Sequence, residues 1–358
     1  MKFGLLCKRY YTNKDLIQDR FGRLYHLPDQ LGKLGHQGLV IAADYRSNKY
    51  EVLDIPGVEF HSLPLRLKNI VSFIQQSHRQ FHSFKPDVLI ASGDSHFGYL
   101  GLKIAQRLQI PFIFDIYDDY RVFGSNRLPG MKNFFTKTVK KSSAIICASH
   151  VLSRQLAKLN PNVAIIENGV DPDLFRPIPI EEARHTLNIS ENDTIIGFFG
   201  SIDRDHGVVD LLEAATILRK DIPNIRVLLA GRNTLGLNLT RTGVDYRGLL
   251  PQDKIPILIN SCDVVTLPLQ SSPQCNVSNS CKLSEYLACG VPIVATSVGD
   301  NPELLHTLSN TLCEPNNPAD LARAILQQLE TPKSLPLPNR FTWSFLGKVL
   351  EDKLSKLI

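Results

Sequence analysis

Residues 278–305, SNSCKLSEYLACGVPIVATSVGDNPELL, read as loop, helix, turn, strand, loop and helix. Ser280 suits an N-cap, and Leu283, Tyr286 and Leu287 follow at the spacing of one helical face. Gly290 stands just past the last periodic residue, where a left-handed backbone ends a helix. VPIVA (291–295) is a short, wholly apolar strand of the kind buried inside a parallel sheet. Gly299 opens a loop, and Pro302-Glu303 begins another helix. The polar residues Ser280, Lys282, Ser284, Glu285, Asp300 and Asn301 gather where this unit meets solvent. A helix N-terminus beside a lysine suits a phosphate, and a glutamate one turn on can accept hydrogen bonds from sugar hydroxyls.

The same alternation extends outward in both directions. Apolar strands are predicted at 194–199, 225–231 and 264–268, separated by helical patterns. Before them, strands are predicted at 3–7, 39–43, 58–63, 87–92, 112–116, 143–149 and 163–166, with helices near 22–34, 66–83, 98–108 and 150–159. The alternation restarts near Pro179, which predicts two doubly wound α/β domains. Polar runs at strand ends, Gly93-Asp94-Ser95-His96 and Tyr117-Asp118-Asp119, belong to the carboxyl edge where open parallel sheets bind ligands. Residues 270–279 read as a polar, flexible loop.

The chain has 358 residues, 43% hydrophobic and 21% charged, within the range of globular proteins. Its seven cysteines are scattered, without the close pairing of a zinc site, which suggests reduced thiols and a cytoplasmic setting. No stretch reaches the length of a membrane span. Residues 1–175 carry 23 Lys+Arg against 15 Asp+Glu, whereas the remainder carries 17 against 20. Two basic amphipathic segments, 66–83 and 127–141, raise an anionic membrane surface as a partner, against the plainer reading of solvated helix faces. Nothing points to nucleic acid.

The 278–305 stretch resembles the donor-binding motif of the retaining family 4 glycosyltransferases, which has two glutamates eight positions apart, the second opening a run such as EAMACGVPVVATDVGGIPEL. Glu285 matches the second, which in that family holds the nucleotide ribose; the first falls on Val277. IENGVDPDLFRP (166–177) is similar to the family's NGVD linker, VLLAG (227–231) to its LLIVGDG strand and YRGLL (246–250) to the VRFLGFV segment lining the base pocket. The family pattern GRLxxxKG falls on Gly200 to Gly207, with Ser201 in place of the arginine and His206 in place of the lysine. The opening glycine pair is reduced to Gly22, followed by Arg23, and Tyr117 stands where the family often has a histidine.

The resemblance implies a GT-B fold, with two Rossmann-like domains facing across a cleft: an acceptor domain at 1–175, a nucleotide-sugar domain at 176–340, and a helix at 341–358 packing back on the first. It implies transfer of a sugar, with retention, to a carbohydrate, lipid-linked or small-molecule acceptor. Asp115, Asp118, Arg204 and Lys282 are the implied catalytic groups. Gly200, Ser201, His206, Arg232, Leu249, Ser280, Leu283, Ser284 and Glu285 form the implied donor site, and Gly22, Arg23, Asp94, His96 and Tyr117 the acceptor site. No metal and no cofactor is expected, since Asp171-Pro172-Asp173 lies in the linker. The expected location is the cytoplasm, with the inner face of a membrane as an option. A catalytically silent binding subunit and a sugar-nucleotide epimerase or phosphorylase are the alternatives.

Overall fold

The computed structural model describes residues 1–358 apart from 12, 13, 48, 123 and 309, and apart from the side chains of 11, 125 and 127. It divides into two compact units, Met1–Gly169 with Arg340–Ile358, and Val170–Asn339.

The first unit contains strands β1 (Lys2–Lys8), β2 (Tyr10–Tyr11), β3 (Lys14–Asp15), β4 (Gln37–Asp44), β5 (Glu51–Ile55), β6 (Val58–Pro64), β7 (Val88–Ser92), β8 (Phe112–Ile116), β9 (Ala144–Cys147) and β10 (Val163–Ile165). Helices α1 (Arg23–Lys33), α2 (Ile70–Phe84), α3 (Ser95–Leu108), α4 (Met131–Lys141) and α5 (His150–Leu156) alternate with them. The main sheet runs β10-β9-β8-β7-β1-β4-β6-β5, parallel except at β5. Every residue of β7, β8 and β9 is buried, as uninterrupted apolar runs require of strands covered on both faces. On β1, Phe3, Leu5 and Cys7 join a core with Leu24, Leu27 and Leu31 of α1, while Gly4 lies against Phe81 of α2.

The second unit contains α6 (Ile180–Leu187), β11 (Thr194–Phe199), α7 (Val208–Leu218), β12 (Ile225–Ala230), β13 (Val244–Tyr246), α8 (Ile255–Asn260), β14 (Val264–Leu267), α9 (Cys281–Cys289), β15 (Ile293–Thr296), α10 (Asn301–Leu304), β16 (Leu312–Cys313) and α11 (Pro318–Glu330). Its sheet is parallel throughout, in the order β13-β12-β11-β14-β15-β16. The chain then returns to the first unit as α12 (Trp343–Ser355), whose Trp343, Leu346 and Leu350 enter the α1 core. The Trp343 ring stacks on His26 at 5.0 Å, and His36 meets Glu351 at 2.8 Å.

Three expectations need correction. The contact boundary falls at 169/170 and not at 175/176, because Gly169 packs under Trp343 while Arg176 and Ile178 bond to Asn260 of the second unit. Helix α3 begins at Ser95, so Ser95 and His96 stand in its first turn and not in a loop. Residues 270–279 are tied down: Gln270 N donates to Asp205 O, and Cys275 packs with Leu269 and Val298.

Candidate functional site

In the second unit, strand β11 ends at Gly200, and the following loop closes on the start of α9. Tyr286 fixes that meeting. Its ring is fully buried, and its hydroxyl accepts the Phe199 N–H at 3.1 Å. Lys282, one turn earlier on α9, is thereby laid across Gly200; a Cβ at position 200 would lie 2.0 Å from Lys282 Cε. Gly207 is held as tightly, with φ +58° and a would-be Cβ 1.8 Å from the Pro268 carbonyl oxygen. Only glycine permits that turn, which sets His206 under the lysine.

Lys282 Nζ then donates to His206 Nε2 at 3.3 Å, and His206 Nδ1 donates to Asp203 Oδ1 at 2.6 Å. A lysine offers only donors, so Nε2 carries the lone pair and Nδ1 the proton. Burial pushes the His206 imidazolium below its ordinary range, and Lys282 pushes it further, against the pull of Asp203. Burial raises Asp203, but the hydrogen bond and charge of His206, together with the backbone N–H groups of Asp205 and His206, outweigh this and hold it below the usual carboxylate range. His206 is thus a neutral imidazole at pH 7 and not the standing cation that its alignment with a lysine position suggests.

The remaining donor-site candidates divide. Ser280 begins α9 without a side-chain cap bond, and Glu285 lies half-buried one turn beyond Lys282. Ser201 is half-buried beside Gly200, and Arg204 and Arg232 are exposed on the loops after β11 and β12. Leu249 is 61% exposed, beyond β13. Leu283 and Ser284 turn inward instead: Leu283 is buried, and the Ser284 hydroxyl bonds to Cys281 O at 2.8 Å. Val277, at the family's first glutamate, is also buried.

The first unit corrects more. Arg23, 1% exposed, makes a two-pronged bond with Asp115 and donates to Ile166 O at 2.9 Å. Asp115, 2% exposed, also accepts the Ser92 hydroxyl at 2.6 Å. This differs from the expected roles in the site, because Arg23 and Asp115 are both enclosed and satisfy each other, with neither side chain turned to solvent. Gly22, φ +72°, starts the helix that delivers Arg23 to this pair. Arg9 is consumed likewise, by Asp15, Asp44 and Glu51.

What stays near solvent is the rim above them. Lys8 pairs with Asp94 at 2.7 Å, and His96 lies 3.9 Å from the same carboxylate. Burial holds His96 below its usual range. Tyr117 and Asp118 are half-buried, and burial plus Asp94, Asp118 and Asp115 push the Tyr117 phenol well above its ordinary range. Tyr120 escaped the sequence reading. Tyr120 accepts from Gly93 N and donates to Asp115 O, which joins two rim loops.

A separate feature lies on the helices of this unit. Helix α3 packs against both α2 and α4, and the three carry no aspartate or glutamate. Arg79, Lys103, Arg107, Lys132, Lys137 and Lys140 are exposed on them, and none has an ion pair among the described residues. Leu67 and Val71 stand out at 94% and 63% exposure, beside Arg66 and Lys68. The side chain of Arg127 lies outside the described residues. No helix among the described residues is long and apolar enough to cross a membrane.

Residues 23–174 match the profile described as Glycosyltransferase Family 4, and residues 193–331 that of Glycosyl transferases group 1. The chain is 24% identical over 222 residues to the N-acetyl-alpha-D-glucosaminyl L-malate synthase of Bacillus anthracis, covering 59% of this chain and 56% of that protein. It is 23% identical over 349 residues to the D-inositol 3-phosphate glycosyltransferase of Thermobispora bispora, covering 86% and 78%. The chain spans 65%, 56% and 63% of the lengths of three curated relatives, about half to two thirds. Among solved structures, Anabaena HepE in complex with UDP superposes with a TM-score of 0.76 at 18% identity, over the whole of both chains. Sucrose-phosphate synthase from Thermosynechococcus elongatus gives 0.72 at 16%, over 99% of this chain and 94% of that one. The fold is GT-B, built from two Rossmann-like units.

Proposed function

The chain belongs to glycosyltransferase family 4, and on that footing we propose that it moves a sugar from a nucleotide diphosphate sugar to an acceptor hydroxyl, with retention. The observation that carries this reading is Lys282 laid over Gly200, one turn before Glu285 on the same helix. A diphosphate at the start of α9 meets Lys282 and backbone N–H groups, and Glu285 accepts from the ribose hydroxyls. Arg204, exposed and without an ion pair among the described residues, adds a second cation from the facing loop. As the sugar leaves, negative charge grows on the diphosphate. Cations fixed in place beforehand stabilise that charge more than they stabilise the bound substrate. In this reading neutralisation is by protein groups, with no metal and no cofactor. The acceptor is a carbohydrate, lipid-linked or small-molecule hydroxyl, oriented by the first unit's rim of Asp94, His96, Tyr117 and Asp118. The departing phosphate takes its proton, so no protein nucleophile is assigned.

Incubation with UDP-glucose or GDP-mannose tests the reading. Slow release of nucleotide without acceptor, faster with one, is expected. Release of free sugar isomers from the nucleotide indicates an epimerase instead. The buried Val277, with Ser201 and His206, favours a second reading as a silent binding subunit. Tight nucleotide binding without any turnover establishes that one.

We also propose a cytoplasmic protein attached peripherally to an anionic membrane surface through α2, α3 and α4. The support is their lack of acidic residues together with exposed Leu67 and Val71, since apolar side chains among cations suit lipid better than a soluble polyanion. Binding to vesicles containing phosphatidylglycerol should weaken as salt rises, and equal binding to neutral vesicles refutes the attachment.

A further inference from the structure

The Asp203–His206–Lys282 chain has a property that a lysine or arginine at position 206 would not have. Its three members come from one loop and from the facing helix α9, and each bond has a fixed direction. Lys282 Nζ gives a hydrogen to His206 Nε2, and His206 Nδ1 gives one to Asp203. Asp203 is locked in turn, since its Oδ1 also accepts the backbone N–H groups of Asp205 at 3.1 Å and His206 at 3.2 Å. The imidazole is 23% exposed, packed at its back by the Phe198 ring at 5.9 Å. The charged groups acting on it are Asp203 and Asp205 of its own loop and Lys282 of α9.

A phosphate oxygen beside Lys282 upsets this arrangement. The ammonium turns its hydrogens to the anion, so Nε2 loses its donor and faces negative charge with a lone pair. That contact is repulsive until Nε2 gains a proton. Once protonated, the ring donates to the phosphate on one side and to Asp203 on the other, and both nitrogens are satisfied.

We propose that His206 takes up a proton from solvent when a diphosphate binds, becoming a cationic phosphate ligand that Asp203 holds in place while Lys282 transfers its bond from imidazole to phosphate. This rests on the diphosphate reading of the second unit. The bookkeeping is closed: one N–H bond forms at Nε2, the proton comes from water or buffer, and no electrons move. Without ligand, burial and Lys282 keep the ring neutral. With ligand, the added negative charge favours the imidazolium. Between those two titrations binding consumes a proton, so affinity falls as pH rises, by about tenfold per pH unit at most. A lysine at position 206 would be charged throughout and would show no such slope.

The experiment is calorimetry of UDP-glucose and GDP-mannose binding to the whole chain near pH 7.5, in PIPES and in Tris, whose ionisation enthalpies differ. Both probes are diphosphate diesters, so their own phosphates do not titrate in this range. The expected result is uptake of a measurable fraction, up to about one proton, per ligand bound by the wild type. His206→Gln should bind more weakly, with no uptake. His206→Lys should restore affinity, also with no uptake, an outcome that a purely structural role for His206 does not produce. Asp203→Asn should shift the uptake to lower pH. Thermal unfolding of each variant without ligand confirms the fold. Binding without uptake in the wild type, or equal uptake in His206→Gln, overturns the proposal while leaving the diphosphate reading intact. No binding of either probe, with no thermal shift, overturns both.

Discussion

The two units place charged side chains at the same topological position, the carboxyl ends of parallel strands, and use them in opposite ways. In the first unit, Arg23 and Asp115 are enclosed, and their bonds to each other, to Ser92 and to Ile166 occupy both. In the second, Lys282 is half-buried and carries one long bond to an imidazole, while Arg204 stands in solvent. A buried pair with complete bonding holds strands and helices together and has nothing left for a ligand. A half-exposed cation with a replaceable partner costs little in stability and can turn to an incoming anion. Burial together with bond count, more than residue type, separates framework from site.

The contrast breaks most decisively at Arg23. Arg23→Ala strands the Asp115 carboxylate in an apolar interior and should destabilise the first unit by about 3–5 kcal/mol. Trp343, the chain's single tryptophan, lies in that unit, so its fluorescence in urea reads the loss directly. A variant that unfolds normally but loses acceptor would move Arg23 back into the site. Next in size is Lys282→Ala. It should leave the urea midpoint nearly unchanged and lower kcat by roughly a hundredfold with little change in KM, because the charge it meets grows in the transition state. Steady-state rates of nucleotide release decide this, and a stability loss comparable to that of Arg23→Ala would erase the distinction between the units.

Glu285→Gln keeps shape and removes charge, and should weaken donor binding by roughly ten- to a hundredfold by calorimetry. Arg204→Ala, at an exposed position, should cost only about threefold in turnover. The smallest effect concerns stability against pH. The His206 imidazolium is disfavoured in the folded protein, so below about pH 6.5 the unfolded chain binds more protons and stability is lost as pH falls. His206→Gln should flatten that part of the curve for the second unit, and an unchanged curve would remove His206 as its source.

Much of the architecture was legible because buried parallel strands are uninterrupted apolar runs; β7, β8, β12 and β14 stand where the residues predict. Strand β5 was missed because its pattern, half-buried alternating with exposed, offers no apolar run, only an edge seat beside β6. Helix α3 starts early because Asp94, Ser95 and His96 read as loop by type, although Asp94 at the N-cap position is itself a helix signal. That Lys282 and Glu285 share the first turns of one helix was readable from local spacing. The roles of Arg23 and Asp115 were not, since 92 positions separate partners that meet only after the sheet has formed. The Lys282–His206 bond spans 76 positions and was hidden for the same reason.

The contact of Lys282 with Gly200 gives two distant positions a shared history. A methyl at 200 would meet only the far end of a flexible side chain, so the lysine would swing aside and the fold would barely register the change. A charge would nonetheless have moved without any charged residue being altered. In a mutational library, Gly200→Ala would therefore behave as a disguised variant of Lys282, and compensating changes should accumulate on the first turn of α9 before they appear beside position 200.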